Sequence, residues 1–318
     1  MLIKRKRILQ VLDPSHRTWV QGGVFSDLRR IAPEIFFGNC VYLPPPNSPM
    51  NFVKWFASCM RIKLNRKVLF SSLTPMENYS RFPSFNKGQN IGIWFTHKDG
   101  SLNKSEMRSL SRSNVIFCHS HRESRSLERV TNAKIIVMLA AIDPNRFQGI
   151  QGKGNKVLWV GTPAERKNPQ IVLDLAKELP NMEFKIVGKD WRHSSLWEAI
   201  QELSNVEYIE IDGPLTAEKI EDCEFFLMTS RIEGGPMPLM EALAAGLIPI
   251  STDTGFVSEL FDIAEVPRDL IVEANVKSFE IGLRTARNLS LNKFTVNSDN
   301  IKRLDFKRLA KLIAESLP

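Results

Sequence analysis

The sequence predicts an α/β protein made of two doubly wound halves, and three observations predict it. Short apolar runs of strand length alternate with stretches of helical periodicity along the whole chain, the pattern of parallel strands covered on both faces by helices. With 318 residues, the chain has enough length for two units, each burying a core of its own. Between the halves, Gln148–Asn155 reads Q-G-I-Q-G-K-G-N, a polar, glycine-rich composition that marks a hinge or linker.

Taken in order, Ile8–Leu12 reads as the first strand and Gly23–Ile31 as a helix. A short strand at Cys40–Leu43 runs into the loop Pro44-Pro45-Pro46, and Val68–Ser71, Ile91–Phe95, Val115–Cys118 and Ile135–Met138 follow as strands. The second half alternates more cleanly. Its strands fall at 157–160, 183–187, 206–210, 225–229 and 248–251. Helices fall at 169–179, 194–203, 216–222 and 237–245, with two more near 276–288 and 305–316. The expected domains are 1–150 and 151–318, with the last helix free to pack back on the first. Ligands of such folds sit at the carboxyl ends of the strands.

Composition narrows the class. With 43% apolar and 25% charged residues, the chain has an ordinary globular make-up. No apolar run reaches the length of a membrane span. The opening M-L-I-K-R-K-R-I-L-Q-V-L-D-P lacks the long apolar core of a signal peptide, so the expected location is cytoplasmic. Cys40, Cys59, Cys118 and Cys223 have no C-x-x-C spacing and read as free thiols. The net charge of +8 hides an asymmetry: residues 1–150 hold 23 basic against 9 acidic side chains, a net of +14, which leaves −6 for the rest. The basic half suits something anionic, whether nucleic acid, a phospholipid surface or a phosphorylated acceptor. No nucleic-acid module accompanies the charge, so no nucleic acid is expected. Residues 51–67 mix Phe52, Val53, Trp55, Phe56, Met60 and Ile62 with five basic residues. They fit a helix on an anionic membrane or a surface helix packing its apolar face inward.

The stretch 225–255 carries the most chemistry. A buried strand leads into a Gly/Pro loop, then a helix with Pro238 in its first turn and a stop at Gly246. Gly234 and Gly235 allow close approach of a ligand to the backbone. Amides in the segment 234–239, Met237 and Leu239 included, together with the helix dipole, favour an anion such as a diphosphate. Glu233 lies where the group attached to that diphosphate would sit, and Glu241, one turn into the helix, can accept from a diol. A second loop, V-G-T-P-A-E-R-K-N-P at 160–169, places Lys167 at a helix mouth opened by Asn168 as cap and Pro169 as first residue. Gly188 ends another strand. Gly22 and Gly23 stand at a helix start after the first strand, and His97 follows the strand 91–95 as either a site residue or a loop histidine.

The run E-G-G-P-x-P-x-x-E-A-L-A-x-G-x-x-P followed by D-T-G resembles the glutamate motif of the retaining nucleotide-sugar glycosyltransferases of family 4, which have the GT-B fold. The resemblance covers 157–260 best. It implies two Rossmann-like domains facing a cleft, the first for the acceptor and the second for a nucleotide-sugar donor. It implies roles for Glu233 on the donor sugar, Lys167 on the diphosphate, Glu241 on the ribose, Gly255 in a second phosphate-side loop, and His97 facing the sugar. Gly22 and Gly23 are similar to the family's first-loop glycine pair, and Gly188 to a glycine near the nucleotide. The family's usual Gly-Arg is Gly161-Thr162 here, a departure that Arg166 could make good.

The expected reaction is retaining transfer of a sugar from a nucleoside diphosphate to an acceptor hydroxyl, in glycan or glycolipid biosynthesis. No metal and no cofactor is expected, since no D-x-D stands where a divalent ion would bind. The expected acceptor is a glycan, a lipid-linked group or another anion, with peripheral contact to the inner face of a membrane. A GT-B-fold epimerase, or a non-catalytic binding protein in view of Thr162, are the alternatives.

Overall fold

A computed structural model describes residues 7–15, 20–82, 88–96, 101–147, 149–150, 152–211 and 215–317, with backbone alone at 20–22. The chain divides into two units, one made of 1–141 with 305–318 and the other of 142–304.

In the first unit the chain runs β1 (Ile8–Leu12), α1 (Val20–Ile31), β2 (Val41–Tyr42), α2 (Pro49–Lys63), β3 (Lys67–Phe70) and α3 (Leu73–Ser80). It continues through β4 (Asn90–Trp94), α4 (Lys104–Ser111), β5 (Val115–Cys118), α5 (His121–Leu127) and β6 (Lys134–Val137). The strands form one parallel sheet in the order β2-β1-β3-β4-β5-β6. Alternate residues feed two cores: Leu9, Val11, Val68, Phe70, Ile91 and Ile93 join α2 and α3 in one. Ile8, Leu12, Leu69, Trp94 and Phe117 join α1 and a C-terminal helix, Phe306–Ser316, in the other. Period-two alternation with both faces apolar is what a covered parallel sheet requires. That helix is capped by Asp305, which accepts from the Arg308 amide, and Lys67 Nζ donates to the Leu317 carbonyl at 2.8 Å. Local signals start the short helices. Ser48 accepts from the Asn51 amide ahead of Pro49, and Asn103 with Glu106 forms a capping box on α4.

The second unit runs β7 (Lys156–Val160), α6 (Gln170–Glu178), β8 (Phe184–Gly188), α7 (Trp197–Gln201), β9 (Val206–Glu210) and β10 (Cys223–Met228). It ends through α8 (Met237–Ala244), β11 (Ile248–Ser251), α9 (Val257–Ile263), α10 (Val276–Leu291) and α11 (Ser298–Lys302). Its parallel sheet has the order β11-β10-β7-β8-β9. β7, β8, β10 and β11 are buried along their length, and edge strand β9 is partly exposed. The helix expected at 216–222 is a 3-10 turn at Ala217–Lys219.

Two expectations change. The described residues of the glycine-rich stretch, 149–150 and 152–155, fall in the second unit, and the division lies at 141/142. A Cβ at Gly152 would stand 2.3 Å from the Gly246 carbonyl oxygen, and one at Gly154 only 1.8 Å from that of Asp222. These glycines therefore serve close backbone contact and not hinge freedom. Asn168 does not cap α6 with its side chain; it is left-handed, with φ 51° and ψ 53°, a conformation that Asn tolerates, and Pro169 is the cap residue. Gly246 does stop α8 at φ 79°.

Candidate functional site

The second sheet is laid down from β7 outward through β8 and β9, and then returns to add β10 and β11 on the other side of β7. Its strand order therefore reverses between β7 and β10. A crevice opens outside the carboxyl ends of strands at such a point. The loops leaving those ends, 161–169 and 229–236, carry Lys167 and Glu233.

Three polar contacts join the loops and strand β7. Trp159 Nε1 donates to Thr229 Oγ1 at 2.9 Å, and Thr229 Oγ1 donates to the Lys167 carbonyl at 2.7 Å. The Arg231 amide donates to the Arg166 carbonyl at 2.8 Å. A third strand end is drawn in by Thr252, whose Oγ1 donates to the Ser230 carbonyl at 2.5 Å.

Held this way, Glu233 meets three donors. Lys167 Nζ is 2.5 Å from Oε1, Ser230 Oγ donates to Oε1 at 2.8 Å, and Arg166 Nη1 is 3.3 Å from Oε2. The Glu233 side chain is 7% exposed and that of Lys167 14%. Burial pushes the carboxyl up, but Lys167, Arg166 and Ser230 outweigh it and hold Glu233 below the usual carboxylate value. The result is a buried carboxylate beside two cations, so the cluster carries a net positive charge.

The segment 234–239 offers fewer amides than expected. Pro236 and Pro238 have no N–H, and those of Met237 and Leu239 bond the Gly235 and Pro236 carbonyls at 2.8 and 3.0 Å. Gly234 is buried, and neither its N–H nor that of Gly235 has an acceptor among the described residues. Gly255, at φ 58°, packs so closely that a Cβ would lie 2.9 Å from the Gly234 carbonyl oxygen. Beside it, Thr254 Oγ1 is buried without a partner. A buried polar group left unpaired costs stability unless a ligand satisfies it.

Glu241 is buried, and its Oε1 lies 3.0 Å from Arg146 Nη2, which also donates to the Leu215 carbonyl. Burial raises this carboxyl to about 7 against the opposing pull of Arg146. Arg146, part of D-P-N-R-F, reads from sequence only as structural, because spacing does not bring residue 146 beside residue 241. Ser230, Thr229 and Thr252 also escape the sequence; S-x-x-E before the glycines is the signal that could have found Ser230.

The remaining expected residues fall as follows. Thr162 is half-buried in the loop after β7. Gly188 closes β8 where a Cβ would stand 1.9 Å from the Gly161 carbonyl oxygen, which accepts from Trp191 Nε1 at 2.9 Å. Its lack of a side chain thus serves packing between strand ends. Gly22 and Gly23 lie in the first turn of α1, which starts at Val20 and not at Gly23, and a Cβ on Gly23 would meet nothing within 4 Å. His97 lies outside the described residues. All four cysteines are free, and burial pushes the thiols of Cys59, Cys118 and Cys223 up to about 12.

Residues 142–291 match the family model of Glycosyl transferases group 1. The match lies within the second unit and contains Arg146, Lys167, Glu233 and Glu241. Over 91 residues the chain is 33% identical to the GtfA subunit of a UDP-N-acetylglucosamine–peptide N-acetylglucosaminyltransferase from Streptococcus pneumoniae. That stretch is 28% of this chain and 18% of the relative, so the chain aligns with less than a fifth of that protein. Two solved structures share the whole fold. The sucrose-phosphate synthase of Thermosynechococcus elongatus superposes with TM-score 0.73 at 12% identity, covering 97% of this chain and 98% of that one. The lipopolysaccharide outer core galactosyltransferase WaaB gives 0.68 at 15% identity, over 98% and 100%. The fold is GT-B, with two Rossmann-like domains. Chemically, the switch-point cluster can hold a polyanion between cations and glycine amides, and it can orient hydroxyl groups with a carboxylate.

Proposed function

We propose that the protein is a retaining glycosyltransferase that moves a sugar from a nucleoside-diphosphate donor to an acceptor hydroxyl without a metal. The observation that carries this reading is the Lys167–Glu233–Arg166 cluster at the β7/β10 switch point, beside unpartnered Gly234 and Gly235 amides and the unpartnered Thr254 hydroxyl. The matched relative is named for use of a UDP-sugar, which favours a nucleoside diphosphate here.

In the reaction the bond from the anomeric carbon to the diphosphate oxygen breaks, and a bond to the acceptor oxygen forms on the same face. Negative charge grows on the leaving diphosphate. Lys167, Arg166 and the amides of Gly234 and Gly235 stabilise it, which is worth most where water is excluded. The acceptor proton passes to the leaving phosphate. Glu233 orients the sugar hydroxyls and Glu241 takes the ribose diol. The first unit takes the acceptor, a glycan or lipid-linked group of anionic character, on the cytoplasmic side of a membrane in glycan or glycolipid synthesis. Incubation with a panel of UDP-, GDP- and ADP-sugars plus acceptor extract, read by mass, tests this. A product one sugar heavier supports transfer. An isomerised donor would favour an epimerase, and an untouched panel would favour a binding protein.

A further inference from the structure

α2 is apolar on two faces. Trp55, Cys59 and Ile62 point into the first core. On the outer side Met50, Phe52, Val53, Phe56 and Met60 are exposed, and Leu64 just past the helix end continues the row. At 3.6 residues per turn these fall within an arc of roughly 160°. Val53 is 67% exposed and Leu64 83%. Single exposed apolar residues are ordinary, but a contiguous stripe along a whole helix marks an interaction surface.

The charge around the stripe says what covers it. Lys54 and Arg61 lie along one margin of the arc, and Lys63 near the other. From residue 35 to residue 76 the chain contains no Asp or Glu, while it holds Lys54, Arg61, Lys63, Arg66 and Lys67. A second copy of this chain would set basic margin against basic margin, which repels. An apolar face whose own helix carries cations and no carboxylate matches a bilayer surface with anionic headgroups, where the side chains enter the acyl boundary and the bases meet phosphate. No helix among the described residues is long and apolar enough to cross a membrane. We infer that α2 is a membrane-seating helix, lying in the plane of an anionic bilayer with Val53, Phe56 and Met60 inserted and Lys54 and Arg61 on headgroups. This goes beyond the sugar-transfer reading and does not depend on it.

The test is co-sedimentation of the full chain with vesicles of phosphatidylcholine alone or of equal parts phosphatidylcholine and phosphatidylglycerol. The protein should bind the anionic vesicles and largely leave the neutral ones. Binding should fall steeply at about 1 M salt, where screening shortens to about 3 Å. Val53→Ser, Met60→Ser and Leu64→Ser combined should lower partition at least tenfold, as loss of buried apolar surface requires. Lys54→Gln with Arg61→Gln should lower it roughly tenfold on anionic vesicles only. These positions are exposed, so both variants should melt like the wild type. Failure of the wild type to bind anionic vesicles would overturn the inference. So would equal binding by the apolar variant, or a dimer in sedimentation velocity that the apolar variant abolishes while vesicle binding persists. Because no donor or turnover is involved, failure here leaves the sugar-transfer reading standing.

Discussion

Lys167 Nζ lies 2.5 Å from Glu233 Oε1, across the gap between the two strand ends where the second sheet reverses its order. Residues 66 positions apart meet because Thr229 and Arg231 bond the backbone of Lys167 and Arg166. In the proposed reaction this pairing would set the cation for the diphosphate and the carboxylate for the sugar in one geometry before any donor arrives. Preorganisation of this kind saves reorganisation during reaction.

Lys167→Ala and Glu233→Ala should each lower sugar transfer at least about a hundredfold, the scale for removal of one preorganised charge stabiliser. Lys167→Ala should also cost about 3 kcal/mol of stability, because it leaves a buried carboxylate short of its main partner. Adding Glu233→Gln to Lys167→Ala should recover part of the lost melting temperature. Additive losses in that double-mutant cycle would show that the pair is not coupled.

The two glutamates should respond to pH in opposite senses. Glu233 is held below its ordinary value of 4.5, so it stabilises the fold above that value and its contribution disappears as pH falls through the depressed one. Glu241 is raised to about 7 from 4.5. The folded state keeps that proton longer than the unfolded chain, so stability declines as pH rises from about 4.5 to about 7. Melting curves from pH 8 down to well below 4.5 should show Glu241→Gln gaining on the wild type between about 4.5 and about 7, and Glu233→Gln losing its disadvantage below 4.5.

In the proposed site Arg146 would act through Glu241 as a positioning residue. Arg146→Met removes the cation that opposes burial, so nucleotide affinity at pH 7 should drop at least about tenfold, the scale for a lost charged hydrogen bond. The pH midpoint of binding should also move upward. Arg146→Lys should restore part of both. Calorimetry across pH separates this from a merely structural loss, which would lower affinity without moving the midpoint.

Thr229→Val should cost about 1–3 kcal/mol, since it leaves Trp159 Nε1 and the Lys167 carbonyl without their hydroxyl partner. Turnover should fall with it as the Lys167 loop loosens. Retention of wild-type melting temperature and turnover would remove Thr229 from the account.

Much of the fold was legible because short buried apolar runs announce themselves, as at Val115–Cys118 and Ile248–Ser251; the partly exposed edge strand Val206–Glu210 also falls where it is expected. The helices α3, α4 and α5 escaped because they are eight residues or fewer and largely polar. The starts of α4 and α5 are written in caps, Asn103 with Glu106 and Ser120, and not in periodicity. In the site, the loop glycines, Lys167 and Glu233 were legible from motif and spacing. Their direct pairing was not, since it depends on the parallel registry of β7 with β10. Arg146 was hidden for the same reason: 95 residues separate it from Glu241, and only the folded chain joins them. The amides of Met237 and Leu239 were misread because the sequence does not show that nearby carbonyls already occupy them.

The most direct test of the central claim is calorimetric titration of the wild type and Lys167→Ala with UDP, GDP and ADP. A nucleoside diphosphate seat at the β7/β10 switch point predicts one-to-one binding of at least one of them, weakened about tenfold or more in the variant, as loss of a charge-assisted contact requires. Absence of binding by all three, or equal affinity in both proteins, would contradict it.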